Sequence, residues 1–336
     1  MIDDLLRRCA EKKASDLHLT CGSRPRLRLQ GALQYSGDVS IDPAEVELWL
    51  EANLTATQLD SLIEDRALDF GLTHETAGRF RVNAFFQSGA IALSIRRLSG
   101  EILDAKELGL PEFVEDLSGL SKGLVIITGP TGSGKTTSLA AIIQKINEER
   151  RCHILTIEDP IEFRFESSNS LVHQREVHSD TLDFASAVRS AMREDPDVIL
   201  VGEMRDLETM RAALMAAETG HLVFTTLHTP DAVGVLDRLV GAFPGSEQDS
   251  VRHQLSMILK AVVAQQLVPC KIGGRVPIVE ILVVNTAVSH LIRTGKSQQL
   301  TSILESGREE GMQTVDYALA QSVTAGQIDI ADAERL

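Results

Sequence analysis

The sequence predicts an α/β protein in which a mainly parallel sheet lies between helices and is preceded by a smaller α+β unit. Three observations carry this reading. After residue 123, short runs that are apolar throughout alternate with helical patterns, as in a parallel sheet covered on both faces. Before residue 98, the strands alternate apolar and polar residues instead, as in a sheet with one solvated face. Between one strand and one helix stands a glycine-rich loop, Gly129-Pro130-Thr131-Gly132-Ser133-Gly134-Lys135-Thr136. With 336 residues the chain exceeds one ordinary core. It divides into 1–98, a connection over 99–122, and 123–336.

An opening helix carries Leu5 and Leu6, and alternating strands follow at Asp16-Leu17-His18-Leu19 and Arg26-Leu27-Arg28-Leu29, the latter closed by Gly31. Helices are expected from Pro43, proline being suited to a first turn, and from a Thr55 cap. Arg79-Phe80-Arg81-Val82-Asn83-Ala84-Phe85 and Ile91-Ala92-Leu93-Ser94-Ile95-Arg96 then read as paired strands. Gly100, Gly109, Pro111 and Gly119 mark the connection, with a short helix from Pro111. Beyond it, buried strands are predicted over 124–128, 153–157, 198–201 and 222–227, and helices over 136–149, 182–193, 207–218 and 232–241. Leu207, Met210, Leu214 and Ala217 share one helix face and are assigned to the core. From about Glu247 the chain reads as helical, apart from a strand pair over 263–267 and 276–284.

Composition narrows the function. A formal net charge of −15 argues against a partner held mainly through nucleic-acid phosphates. Cys9, Cys21, Cys152 and Cys270 are scattered singly, without zinc-ligand spacing, and are expected as reduced, packed thiols. The N-terminus, Met1-Ile2-Asp3-Asp4-Leu5-Leu6-Arg7-Arg8, carries acids and no apolar run, so it reads as an amphipathic helix and not a signal peptide. Runs such as 278–284 are strand-sized and broken by charge, far from the roughly 20 residues of a membrane span. A soluble protein that meets a membrane only through a partner is the expectation.

The chemistry begins at the glycine-rich loop, which fits the P-loop pattern and stands between a buried strand and a helix. Its backbone N–H groups can curl around phosphate oxygens, helped by the positive end of the helix. Lys135 is expected to reach the β- and γ-phosphates of ATP, and the Thr136 hydroxyl to ligate Mg²⁺. Glu158-Asp159-Pro160-Ile161-Glu162 follows the next strand, at the edge where such sheets bind nucleotide. One of these acids can activate the attacking water, and the residues alone leave Glu158 and Glu162 as equal candidates. Val198-Ile199-Leu200-Val201-Gly202-Glu203 reads as a metal-supporting strand end, with a Glu203–Arg205 ion pair as a compatible alternative. His221 and His228 flank the following strand, and His228 is a candidate phosphate sensor. Arg79, Arg81, Arg96 and Arg97 are either surface charges or guanidinium groups offered to a nucleotide on a neighbouring subunit.

Together these segments resemble the secretion-superfamily ATPases and, within them, the PilT family that powers type IV pilus retraction and twitching motility. The resemblance spans nearly the whole chain. It rests on Gly129 to Thr137, on Leu155-Thr-Ile-Glu-Asp-Pro-Ile-Glu-Phe163, Arg193-Glu-Asp-Pro-Asp197 and Gly202-Glu-Met-Arg-Asp206, and on Ala217-Glu-Thr-Gly-His-Leu-Val-Phe224 with Thr226-Leu-His-Thr229. It implies a PAS-like N-terminal domain, a RecA-like P-loop core and a homo-hexamer that hydrolyses ATP with Mg²⁺. It further implies a cytoplasmic location at the inner-membrane face and an inner-membrane pilus platform protein as partner. Within the site it implies Glu162 as general base, Glu203 as Mg²⁺ support, His228 as sensor, and Arg81 with Arg96 as the arginines that reach the nucleotide. Assembly-type relatives usually add an N-terminal domain and a four-cysteine zinc element, so the retraction type fits better. Retraction ATPases also carry a C-terminal Ala-Ile-Arg-Asn-Leu-Ile-Arg-Glu motif. Here the segment is Ala287-Val288-Ser289-His290-Leu291-Ile292-Arg293-Thr294, which loses one positive and one negative charge. That departure leaves open a second reading as an accessory or second-copy pilus ATPase, beside a pilus-assembly or type II secretion ATPase.

Overall fold

A computed structural model describes residues 1–98 and 100–334. Ser99, where the predicted connection begins, and the last two residues of the 123–336 segment lie outside the described residues. Two compact units emerge. The first comprises Met1–Glu101 with two later segments, Glu158–Arg164 and Arg175–Leu182; the second comprises Ile102–Ile157, Phe165–Gln174 and Asp183–Leu336.

The first unit runs α1 (Ile2–Glu11), β1 (Asp16–Leu19), β2 (Arg26–Leu29), β3 (Ala32–Tyr35), α2 (Pro43–Asn53), α3 (Ala56–Asp65), β4 (Ala67–His74), β5 (Gly78–Gln87) and β6 (Ala90–Arg97). Its strands form an antiparallel sheet in the order β3-β2-β1-β6-β5-β4. The alternation seen in the sequence sorts the two faces. Leu17, Leu27, Phe80, Val82 and Ile95 turn to a core closed by Leu6, Leu50 and Leu62. The intervening Asp16, Arg28, Arg81 and Arg96 occupy the other face, where Asp16 pairs with Arg96 across β1 and β6 and Arg81 with Arg96 across β5 and β6. The helix starts follow their caps: Asp42 accepts from the Ala44 N–H, and Thr55 and Gln58 form a reciprocal capping box. Gly31 does not simply end a strand. With Gln30 it forms a two-residue turn, both at positive φ, that reverses β2 into the exposed edge strand β3.

The second unit runs α4 (Glu112–Asp116), β7 (Gly123–Thr128), α5 (Lys135–Glu149), β8 (His153–Glu158), β9 (Leu171–Glu176), α6 (Phe184–Ala191), β10 (Val198–Val201), α7 (Leu207–Glu218), β11 (Leu222–Thr226), α8 (Ala232–Gly241), α9 (Gln248–Ile258), β12 (Leu259–Pro269), β13 (Arg275–Val283), α10 (Thr286–Thr294), α11 (Leu300–Ser306), α12 (Val315–Thr324) and α13 (Ile330–Ala333). The sheet order is β13-β12-β7-β11-β10-β8-β9. From β12 to β8 the neighbours are parallel, whereas β13 returns antiparallel to β12. Every residue of β7, β10 and β11 is buried, which is why these strands read as unbroken apolar runs. Three parallel registers matter for function: Ile157 beside Val201, Val201 beside Thr225, and Thr226 beside Ile127. They bring the carboxyl ends of β7, β10 and β11 to one edge, where ligands bind in open α/β sheets. The predicted helix over 182–193 is shorter at both ends: Asp183 caps its start by accepting from the Ser186 N–H, and Ala191 is its last residue.

Candidate nucleotide site

The loop from β7 into α5 is shaped by Gly129, Gly132 and Gly134, all at positive φ. Gly129 has φ +139°, and a Cβ there would collide with the Gln265 carbonyl of β12. At Gly134, φ +88°, a Cβ would come 2.8 Å from the Gln265 amide nitrogen. These conformations turn the loop and bring Lys135 into the first turn of α5. Gln265, itself buried, braces the loop from the neighbouring strand. Its Nε2 donates to the Ser133 carbonyl at 2.7 Å and its Oε1 accepts from the Ser138 hydroxyl at 2.8 Å. The Ser133 hydroxyl is buried and finds no protein partner. A phosphate oxygen cradled by the loop would satisfy it, so the residues present fit a nucleotide polyphosphate.

Lys135 is buried, and its ammonium donates to the carbonyls of Gly129 at 2.8 Å and Pro130 at 3.0 Å. Burial pushes its pKa below the ordinary lysine value, against the charge of Glu203, which raises it. Glu203 stands just past β10. Its Oε1 pairs with Arg205 at 2.7 Å and its Oε2 faces His228 Nε2 at 3.3 Å. The sequence-level ion pair to Arg205 therefore coexists with a site position. His228 follows β11, and the loop carrying it is tied to β7, since Leu227 N–H donates to the Ile127 carbonyl and Thr229 N–H to the Thr128 hydroxyl at 2.9 Å. The second unit thus gathers Gly129 to Thr137, Glu203 and His228 at one sheet edge. His221 does not join them: its Nδ1 lies 2.9 Å from the Ala216 carbonyl, at the end of α7.

Thr136 and Glu203 offer hard oxygen donors, and such donors suit a magnesium ion that keeps substrate phosphates and waters as its other ligands. Among the described residues no group of three or more His, Cys, Asp or Glu side chains is arranged to hold a metal ion by itself.

Glu162, Arg81 and Arg96 belong to the first unit. Glu162 is half-buried, in a turn whose preceding residue, Ile161, is bonded through both its N–H and its carbonyl. Glu158 is buried. The four arginines of the two strands separate. Arg79 is buried and pairs with Glu176 at 2.7 Å, and Arg97 donates to the Ala14 carbonyl at 3.3 Å. Arg81 lies 3.4 Å from Asp69, and Arg96 holds Asp16 at 3.0 Å while its side chain stays 68% exposed. Sequence reasoning missed Gln265, Arg79 and Glu176 as braces. The available signal was a glutamine inside Val262-Val263-Ala264-Gln265-Gln266-Leu267, where an apolar strand tolerates a buried amide only if its hydrogen bonds are met.

A glycine cradle, an adjacent lysine, and a carboxylate and histidine at the neighbouring strand ends define a P-loop ATPase. Comparison narrows the class. Residues 1–273 match the type II/IV secretion system protein family, and the chain belongs to that family. It is 45% identical over 327 residues to the type IV pilus retraction ATPase PilT of Pseudomonas aeruginosa, covering 97% of this chain and 95% of that one. It is also 45% identical over 305 residues to a twitching motility protein of Neisseria gonorrhoeae, covering 90% and 82%. A crystal structure of the pilus retraction motor PilT with bound ADP superposes with a TM-score of 0.91 at 43% identity, covering 99% of this chain and 96% of that chain.

Proposed function

We propose that this ATPase is a homo-hexameric motor that drives type IV pilus retraction from the inner-membrane face. It would reach the membrane through a platform protein. One observation carries the nucleotide chemistry: the glycine cradle of 129–134 holds the buried, unpartnered Ser133 hydroxyl beside Lys135. The likeness to the PilT relatives supports the mechanical role.

In this reading the loop N–H groups and Lys135 bind the ATP phosphates, and Thr136 and Glu203 would hold Mg²⁺. Mg²⁺ held there would supply positive charge against the charge that develops on the phosphates. Glu162 accepts the proton of the attacking water. His228, in contact with Glu203, reports the state of the γ-phosphate to the strand ends. Arg81 and Arg96 contribute positive charge to the phosphates of a neighbouring subunit, an effect typically of roughly 10³–10⁵ in rate.

Glu162→Gln should bind ATP yet hydrolyse it far more slowly, as read by phosphate release and by titration with a fluorescent ATP analogue. Near-normal turnover in that variant, with Glu158→Gln inactive, would move the base to Glu158. Direction of force is a cellular question: deleting the gene should leave cells hyperpiliated if the motor retracts, and bald if it assembles. The altered 287–294 segment favours a specific second reading. In α10 the retained Leu291 and Ile292 are buried, whereas His290 and Thr294, two of the substituted positions, are exposed. The packing of the motif is kept and its surface charge is changed, as an accessory copy with a different contact would require. Normal piliation after deletion, with loss of retraction force only under load, would support that reading.

A further inference from the structure

We propose that Arg79 and Glu176 are positioning residues for ATP hydrolysis, holding the turn that carries Glu162 in a fixed geometry against β4 and β5. The inference rests on the reading of Glu162 as the base. Its grounds are geometric and lie wholly within the first unit, to which Glu176 at the end of β9 belongs. Arg79 Nε donates to the Ile161 carbonyl at 2.5 Å, and the Ile161 N–H donates to Glu176 Oε2 at 3.1 Å. Both backbone groups of the residue before Glu162 are therefore fixed by one ion pair. That pair is closed on itself by Arg79 Nη2 to Glu176 Oε2 at 2.7 Å.

The pair is also anchored to the sheet. Glu176 Oε1 accepts from the Gly71 N–H of β4 at 3.1 Å, and Arg79 Nη1 donates to the Thr73 hydroxyl at 2.8 Å. Gly71 makes room for it: a Cβ there would meet the Arg79 guanidinium and come 2.7 Å from Glu176 Oε2. The side chains are only 8% and 11% exposed, so water competes little for these bonds. An arginine suits the task where lysine does not, because its planar fork reaches two acceptors in fixed directions.

The consequence is a division between covalent order and packing. Glu162 follows β8 of the large sheet in the chain, yet its turn, Glu158–Arg164, packs as part of the first unit. A base held in this way keeps its geometry relative to β4 and β5.

The test compares Arg79→Lys, Glu162→Gln and the double variant in the full-length protein. Steady-state kcat and KM for Mg-ATP, affinity for a fluorescent ATP analogue, and thermal melting are measured for each. Lysine keeps the charge against Glu176 but cannot also hold the Ile161 carbonyl in the same geometry. The expected result is a kcat loss of about 100-fold, the order produced by misplacing a catalytic group by about 1 Å. KM and ATP affinity should change little, and the loss should vanish in the Glu162→Gln background. Unchanged kcat in folded Arg79→Lys, or an equal loss in both backgrounds, overturns the proposal. Should Arg79→Lys not fold, Glu176→Gln is read in the same two backgrounds, with the same outcomes deciding. Near-normal turnover in Glu162→Gln alone would instead refute the base assignment on which the proposal rests.

Discussion

At the residue scale, what can be read from sequence depends on whether a role leaves a spacing. A phosphate-binding loop must place glycines at fixed offsets, and Gly129, Gly132 and Gly134, all at positive φ, follow from that demand. Glu162 could be separated from Glu158 only by resemblance, because both follow one strand and share one chemistry. Gln265 showed in the sequence only as a polar residue within an apolar run, and its role could not be read, since its partners Ser133 and Ser138 are 132 and 127 positions away. Its weight follows from burial. Gln265→Ala removes a donor from the Ser133 carbonyl and an acceptor from the Ser138 hydroxyl, leaving both without those partners. Each buried orphan typically costs about 1–3 kcal/mol. The variant should melt lower, and its ATP affinity should fall because the loop backbone loses its brace. Wild-type affinity in Gln265→Ala would show that the glycines hold the loop unaided.

At the scale of elements, strands buried on both faces were legible as continuous apolar runs, and caps such as Thr55 marked their helices. The strands that escaped have identifiable reasons. β3 is four residues long and exposed throughout, so no face pattern develops. Gly71 interrupts β4 for the sake of the side chains beside it, and β9 is Leu-Val-His-Gln-Arg-Glu, an edge strand with little apolar content. The strand pair was foreseen in place but not in length, since β12 continues directly from α9. One junction between elements predicts a pH effect. Glu280 of β13 accepts from the Ala232 N–H at 2.8 Å and so joins Asp231 in capping α8. Burial is the largest influence on its carboxyl and raises its pKa; the Ala232 N–H lowers it, and Asp231 and Asp316 raise it further. A carboxyl raised on folding binds more protons in the native state than in the unfolded chain. Its contribution to stability is therefore fully present below the unfolded value of about 4.3 and is lost as pH rises through the folded value. Glu280→Gln keeps an oxygen for the Ala232 N–H and removes the charge. Relative to wild type, its melting temperature should rise from pH 5 to pH 8; a constant difference would exclude this contribution.

At the scale of the whole molecule, composition spoke clearly only about partners. The charge of −15 disfavours nucleic acid, and among the described residues no helix is long and apolar enough to cross a membrane. The assignment of Glu158–Arg164 and Arg175–Leu182 to the first unit was not legible, because local pattern carries no record of which core a loop joins. That division bears on cooperation between subunits. Lys135 and Glu203 belong to the second unit, and Arg81 and Arg96 to the first, where they are held by Asp69 and Asp16. If the arginines serve a neighbour's nucleotide, each competent site is built from two chains, and Arg81→Ala or Arg96→Ala should abolish most hydrolysis while ATP binding persists. A rate effect of roughly 10³ corresponds to about 4 kcal/mol of transition-state stabilisation. Mixing then separates the geometries. Lys135→Ala subunits cannot use their own nucleotide but still carry both arginines, whereas Arg96→Ala subunits carry an intact loop and lack one arginine. Co-assembled, the two inactive proteins restore complete sites wherever a Lys135→Ala subunit donates its arginines to an Arg96→Ala neighbour, so activity should reappear and should depend on the mixing ratio. Light scattering with an ATP analogue would establish co-assembly and the expected six-subunit mass. Mixtures that co-assemble and remain inactive at every ratio would place the arginines in service of their own subunit, and a fully active monomer would dismiss the shared site altogether.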